Sequence, residues 1–223
     1  NNNKALSHGN WVKLICGASN QDLPSITDLC ALYATAGVHC VDVAADKAVV
    51  RAARQGLDWA HSKFGRKPWL MISISDGKEA HFRKASFNPN LCPVNCPRPC
   101  QRICPAEAIL KNEGINQSRC YGCGRCIPSC PLGLISEIDQ HLGIKDLAPL
   151  IKKLKPDAVE IHTAPGRKKA FNATLKAIIE SKIKLHRLAV SCGIEGHGIS
   201  VELLAKELWQ RYSCLKQNGQ RPL

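Results

Sequence analysis

Leu91-Cys-Pro-Val-Asn-Cys-Pro-Arg-Pro-Cys-Gln-Arg-Ile-Cys-Pro105 and Cys120-Tyr-Gly-Cys-Gly-Arg-Cys-Ile-Pro-Ser-Cys-Pro131 decide how this chain is read. Eight of the thirteen cysteines fall in these two runs. The second run matches the bacterial ferredoxin pattern C-x2-C-x2-C-x3-C-P. Three thiolates on one tight loop each reach a different iron of one cubane. The fourth, before proline, turns away to the other cluster. This assigns Cys120, Cys123, Cys126 and Cys104 to one [4Fe-4S] cluster, and Cys92, Cys96, Cys100 and Cys130 to a second. The first run departs from the pattern, because its first two gaps hold three residues. Pro93, Pro97 and Pro99 fix φ there, so the longer loop is stiff rather than slack. Paired cysteines also bind zinc, but zinc ribbons do not need the C-x3-C-P endings. A disulfide framework fits worse still, since a chain of this length needs no staples.

The 223 residues allow one or two domains with an ordinary apolar content of 44%. No apolar run reaches the roughly 18 residues a membrane-spanning helix needs. The start, Asn1-Asn2-Asn3-Lys4, has no apolar signal region. It also lacks Met, so the numbering is read as that of a processed or trimmed form. Thiol-rich metal sites favour a reducing compartment. The formal charge is +13. Eight thiolates and two oxidised cubane cores lower it to about +9. The chain stays basic. Its lysines solvate the surface, or form a docking face for an acidic protein, a membrane surface or nucleic acid.

Outside the cysteine runs the chain alternates apolar strands and amphipathic helices. Residues 1–10 read as loose. Strands are expected at Trp11–Cys16, Val38–Ala44, Trp69–Ile74, Ala158–His162 and Leu188–Val190. The helices between them start near Pro24, after Asp46, at Ile144, before Phe171 and after Ser200. Gly37 and Gly65 close the first two. The last helix is expected to bury Val201, Leu204, Ala205, Leu208 and Tyr212. This rhythm predicts an α/β fold with one parallel sheet, a partial TIM-barrel-like β/α domain covered on both faces. A two-[4Fe-4S] ferredoxin-like domain interrupts it. The division is 1–87 and 140–223 for the two parts of the β/α domain, and 88–139 for the insert. A hairpin is expected inside the insert at Ala108–Leu110 and Gly114–Asn116. No repeat is visible at the 20–50 residue scale.

Parallel β/α folds place ligands at the C-terminal ends of their strands. Those ends carry Cys16, Gly17 and Ser19, then Asp42 and Asp46, Ser75, Asp76 and Gly77, then Glu160, His162 and Thr163, and finally Ser191, Cys192 and Gly193. Cys16, Asp42, Glu160, His162 and Cys192 make a candidate pocket for a small molecule, a flavin or a quinone, although no flavin or quinone motif is present. The competing reading is that each side chain caps a helix or closes a turn. Gly166-Arg167-Lys168 opens a helix after a strand and is a candidate phosphate cradle. Cys30, Cys40 and Cys214 read as buried small hydrophobes. His61, His81, His141, His186 and His197 show no metal-ligand spacing. No catalytic residue is assigned.

Several stretches together resemble the LdpA family, light-dependent period protein A. They are Gly9–Ser19, Val41–Asp46, Pro68–Ser73, His81–Lys84, the Cys92–Pro105 run with its x3 gaps, and Arg119–Cys126. The resemblance covers most of the chain and implies an iron–sulfur protein of oxygenic phototrophs, in the chloroplast stroma or the cyanobacterial cytoplasm. It implies redox sensing and electron transfer that relay photosynthetic redox state to protein partners and the circadian clock. Family members run on past residue 223. Two other readings stand beside it. One is an iron–sulfur flavin-dependent oxidoreductase on a β/α barrel. The other is a structural subunit of a large photosynthetic or gene-expression complex, docked through the basic face.

Overall fold

A computed structural model describes residues 2–16, 23–77, 83–139, 143–193 and 198–223. Gly17, Ser19, His81, His141 and His197 lie outside the described residues. Helix α1 (Asn2–Ser7) precedes strand β1 (Lys13–Ile15). Then come α2 (Leu23–Ala36), β2 (Cys40–Ala44), α3 (Lys47–Phe64) and β3 (Trp69–Ser75). The cysteine-rich segment holds β4 (Arg83–Ser86), α4 (Pro99–Ile103), β5 (Ile109–Leu110), β6 (Gly114–Ile115), α5 (Cys126–Ser129) and β7 (Ser136–Asp139). The rhythm resumes with α6 (Ile144–Leu154), β8 (Ala158–His162), α7 (Lys168–Glu180), β9 (Arg187–Ser191) and α8 (Val201–Gln217).

Strands β1, β2, β3, β8 and β9 form one parallel sheet in that order. Each strand pairs with the next strand of the β/α series, so the sheet is wound in one direction and curls as an open half-barrel. The segment between β3 and β8 leaves the sheet and returns to it, with Met71 opposite Ala158. At the far edge Leu188 bridges Pro222 in parallel, so the chain beyond α8 begins a sixth strand position.

One-directional winding puts the helices on one face. Leu14, Val41, Val43, Leu70, Ile72, Ile74, Val159, Ile161 and Leu188 alternate with the residues of the other face along their strands. All but Leu14 join one buried cluster with Ile26, Ala53, Leu57, Ile151, Phe171 and Leu175 from α2, α3, α6 and α7. The opposite, concave face does not carry a second helix layer among the described residues, which corrects the expectation of a sheet covered on both faces. It is apolar only at the strand starts. There Cys40, Trp69, Met71, Ala158 and Ala189 pack with Leu6, Trp11 and Leu223, and Trp69 stacks on His186 with centroids 5.1 Å apart. This floor explains α1, which the sequence reading left as loose chain. Leu6 is too isolated for an amphipathic pattern, but it has a tertiary surface to cover.

Local chemistry sets the helix ends. Asp46 accepts from the Ala48 and Val49 amides and starts α3, and Gly65, at φ 66°, stops it. Ser200 caps α8 through the Leu203 amide. Arg211 and Leu215 are buried in α8, and Leu204, Leu208 and Tyr212 of the expected face are half-buried beside them, while Val201 (65%) and Ala205 are exposed. Gly56 lets α2 and α3 cross closely. A Cβ there would lie 2.1 Å from the Thr27 carbonyl oxygen and 3.0 Å from the Ala31 nitrogen. Gly56→Ala gains about 1 kcal/mol of helix propensity but must push two backbones apart. We expect a net loss of about 1–3 kcal/mol, seen as a lower urea midpoint. A midpoint at or above wild type would mean the crossing relaxes at no cost.

The cysteine-rich segment is closed by an antiparallel ladder of β4 and β7, from Arg83 opposite Asp139 to Ser86 opposite Ser136. The small β5–β6 hairpin lies within it, with Ile109 opposite Ile115. A separate apolar cluster of Ala85, Cys100, Ile109, Cys126 and Ile135 fills its centre. Tyr121 belongs instead to the main core, and Cys123 and Ala106 pack against that core. The segment therefore rests on the half-barrel through its second cysteine run.

Candidate functional site

The two cysteine runs are built alike. Each has a short helix, α4 or α5, that ends on a Cys-Pro step. Cys104 N–H donates to the Gln101 carbonyl at 3.3 Å, and Cys130 N–H to that of Ile127 at 3.3 Å. Three residues after each cysteine the backbone turns left-handed, at Glu107 (φ 47°) and Gly133 (φ 62°). One residue later an amide donates back to the thiol sulfur. Ala108 N–H reaches Cys104 Sγ at 3.3 Å, and Leu134 N–H reaches Cys130 Sγ at 3.4 Å. This local pseudo-repeat was not visible in the sequence. The x3 and x2 gaps differ, and a left-handed glutamate and a left-handed glycine share no letter.

The thiols gather in two sets of four. One apolar cavity is lined by Cys104, Cys120, Cys123 and Cys126 together, with the small residues Ala106, Ala108, Gly122 and Gly124. Gly122 (φ 84°) and Gly124 (φ 75°) let the backbone wrap between these cysteines. Burial, then the neighbouring Cys123, Cys120 and Cys104, push the Cys126 thiol up to about 12. In the other set, burial and then Cys130, Cys92 and Cys96 raise Cys100. Desolvation, and then the hydrogen bond and charge of Cys96, with Cys130 further off, raise Cys92. Among the described residues no three His, Cys, Asp or Glu side chains converge closely enough to hold a single metal ion. The donor chemistry, a quartet of sulfurs around one small-residue cavity and four further cysteines beside one another, fits iron–sulfur cluster binding.

The polar ring is only partly brought together. Lys13 Nζ donates to Asp42 Oδ2 at 2.9 Å and also to Glu160 Oε2. Ser73 Oγ donates to Asp42 Oδ1 at 2.7 Å, and Ser191 Oγ to Glu160 Oε1 at 2.6 Å. His162 Nδ1 lies 2.9 Å from Ser191 Oγ. The serine proton is committed to Glu160, so Nδ1 carries the hydrogen of that contact. Six residues from the five strands, two of them from β8, thus join a single hydrogen-bonded band across the concave face. Burial pulls the Lys13 ammonium down, but Asp42 and Glu160 outweigh it and leave its pKa raised. Burial, and then Glu160, raise Asp42 against Lys13 and Ser73. Lys13 and Ser73 are the band residues that sequence reasoning missed. A lysine in an apolar run would have been the signal.

Cys16 lies elsewhere. Its thiol is buried on the helix side, where it shares a hydrogen bond with Cys30. Cys192 is half-buried and donates to its neighbour's carbonyl, Gly193 O, at 3.3 Å. Asp46 is spent on capping α3, and Ser75 closes a turn onto Gly77 O. Asp76 is buried and accepts from Thr163 Oγ1 and, at 3.4 Å, from Arg167. The Gly166 cradle is filled from within. Glu207 of α8 accepts the Gly166 amide at 2.9 Å and also binds Arg211 at 3.0 Å. An internal carboxylate takes the place a phosphate would occupy. The groove of about 580 Å³ between α3 and α6 is basic and has no cysteine in its lining. Its Arg54 is committed to capping α6 through the Leu154 and Lys155 carbonyls, both at 2.7 Å.

Comparison with known proteins agrees with this site. Residues 92–141 match the LdpA Fe-S cluster-binding domain, and residues 150–223 match the Light dependent period A C-terminal domain. Light dependent period A of Synechococcus elongatus is 48% identical over 190 residues, 85% of this chain and 54% of that protein. An uncharacterized ferredoxin of Methanocaldococcus jannaschii is 39% identical over 61 residues, 26% of this chain and 40% of its own. The iron–sulfur subunit ArrB of the arsenate respiratory reductase of a Shewanella species is 37% identical over 85 residues, 36% of this chain and 32% of its own. The chain spans about half the length of its light dependent period A relative and less of the other two. No solved structure matches. Both domain matches name one family, and the chain belongs to it, the light dependent period A family, with an iron–sulfur cluster-binding domain between the two parts of its half-barrel.

Proposed function

We propose that this chain is a redox-sensing electron-transfer protein with two [4Fe-4S] clusters in a ferredoxin-like module, and that it passes photosynthetic redox state to protein partners. The observation that carries this is the crossed grouping of the thiols, with Cys104 lining one cavity with Cys120, Cys123 and Cys126. Crossed ligation is what a two-cluster ferredoxin requires. The likeness to a ferredoxin and to an iron–sulfur subunit supports the same reading. The absence of any tight three-ligand group among the described residues weighs against paired zinc sites, whose sulfurs would sit about 2.3 Å from one ion. The β4–β7 ladder supports opening the module at Arg83 rather than at residue 88. When bound, the clusters supply one-electron storage. The chain's own part is to tune them. The Ala108 and Leu134 amides put positive dipoles on two ligand sulfurs and so favour the reduced state.

The flavin-enzyme reading is the weaker one. The concave band of Lys13, Asp42, Ser73, Glu160, Ser191 and His162 satisfies its own hydrogen bonds, which fits a structural role better than a cofactor site. Anaerobic purification followed by iron, sulfide and flavin analysis tests both readings. About eight irons and eight sulfides per chain, with no flavin, are expected. Zinc at stoichiometric amount, or a tightly held flavin, would replace the proposal.

A further inference from the structure

We infer that the apolar face over the Cys92–Cys96–Cys100–Cys130 quartet is a docking site for an acidic protein that carries one electron at a time. This rests on the two-cluster reading above. The two quartets face opposite surroundings. The Cys104 quartet is turned inwards, with Tyr121 buried in the main core and Cys123 against it. The Cys92 quartet is turned outwards. Three large aliphatic side chains on the loops that carry its ligands stand in solvent: Leu91 at 61%, Val94 at 98% and Leu132 at 52% exposure. Single exposed aliphatics need no explanation, but three on the loops of one ligand set do. Val94 is the middle residue of the Cys92-x3-Cys96 gap, where the bacterial pattern has only two residues. Pro93 fixes one side of the loop, and the Cys96 amide donates to the Pro93 carbonyl at 3.1 Å. The knob is therefore held out on a closed turn, so little conformational freedom is lost when a partner covers it.

The rim sets the partner's charge. From Arg83 to Ala106 there is no Asp or Glu, and Arg98, whose guanidinium donates to the Lys111 carbonyl at 2.7 Å, and Arg102 stand two residues to either side of Cys100. An apolar centre with a cationic rim matches a protein whose own contact patch is ringed by carboxylates. In the encounter one electron leaves the carrier, which is oxidised by one, and the outer cluster is reduced by one. No bond or proton is exchanged.

The test uses the full chain, purified anaerobically, with iron and sulfide counted first. The probe is an acidic plant-type [2Fe-2S] ferredoxin. Binding is measured by calorimetry with both proteins oxidised, and electron transfer by stopped flow with the probe reduced. Val94→Asp and, separately, Arg102→Glu are each expected to weaken binding and slow transfer by about tenfold or more. Reduction by dithionite should stay at the wild-type rate. The wild-type transfer rate should fall as salt is raised. Wild-type binding that ignores salt, or unchanged binding in both variants with iron content intact, would overturn the docking site. So would loss of self-association or of anionic-vesicle binding in Val94→Asp without a change in the probe's affinity, since the face would then serve a second copy or a membrane. Absence of iron and sulfide from the wild-type chain would instead remove the cluster reading itself.

Discussion

Cys104→Ser is expected to cost the chain the cluster of Cys120, Cys123 and Cys126 while sparing that of its sequence neighbours Cys92, Cys96 and Cys100. The reason is geometric. Cys104 ends α4, and the left-handed step at Glu107 with the Ala108 amide on its sulfur aims the thiol into the cavity of the second run. A serine hydroxyl is a poor substitute for a thiolate, and a cubane with three thiolates loses iron readily. Iron should fall from about eight to about four per chain. Cys130→Ser should do the reverse, because the equivalent step at Gly133 aims Cys130 at the first quartet. Spectra of each variant, compared with those of Cys96→Ser and Cys123→Ser, identify the surviving cluster. If Cys104→Ser matched Cys96→Ser, the ligation would follow the sequence and not the fold, and the crossed assignment would be wrong.

The elements with local signals were legible. Asp46 and Gly65 mark both ends of α3, and Ser200 marks the start of α8, because a cap is a contact between near neighbours. The alternation of strand and helix was enough for the parallel sheet, and the Cys-Pro steps for an iron–sulfur-binding segment, which the family match spans over residues 92–141. What escaped the sequence depends on distant partners. The β4–β7 ladder joins residues fifty or more apart, and Arg83-Lys-Ala-Ser86 has no strand-like apolar pattern. That the concave face carries only α1, at the strand starts, among the described residues follows from the order of the strands in the sheet, which no single strand reveals. Short strands such as Ala158-Val-Glu-Ile-His162 alternate, with Val159 and Ile161 towards the helices and Glu160 and His162 on the concave face. Cys16 was placed in the ring by its position at a strand end, but its parity along β1 turns it to the helices. For the same reason the ring reduces to a band through Asp42, Glu160 and His162.

The two modules also meet in ways that their separate patterns hide. Tyr121 stands between two cluster cysteines and yet is 6% exposed within the main core. Lys84 of β4 lies 3.9 Å from the Asp46 carboxylate that caps α3 and donates to Gln117 O at 2.6 Å. At 3.9 Å this half-buried pair is at the limit of ion-pair contact and adds little by itself. The buried tyrosine fixes the orientation. It keeps the Cys104, Cys120, Cys123 and Cys126 set against the half-barrel.

The band itself should matter for stability. Lys13→Ala leaves the Asp42 and Glu160 carboxylates, 1% and 6% exposed, without the ammonium between them. Removing one partner of a buried ionic group costs about 3–5 kcal/mol, and urea unfolding near neutral pH should show a loss of that size. The pH dependence follows from the signs. Lys13 is raised above 10.5 in the folded state, so its stabilisation is complete below 10.5 and disappears as pH rises through the folded value. Asp42 is raised above 3.8, so the folded chain takes up its proton first and gains stability as pH falls through the folded value towards 3.8. The deficit of Lys13→Ala should therefore be widest in between and narrow towards both extremes. Neutralising the whole band, with Lys13→Met, Asp42→Asn and Glu160→Gln together, should recover most of the loss, since a buried ionic group is often replaceable as a set although not piecemeal. A Lys13→Ala variant within about 1 kcal/mol of wild type at neutral pH would mean that water reaches the carboxylates on the concave face. The band would then be an open, solvated site, and the case for a ligand there would have to be taken up again.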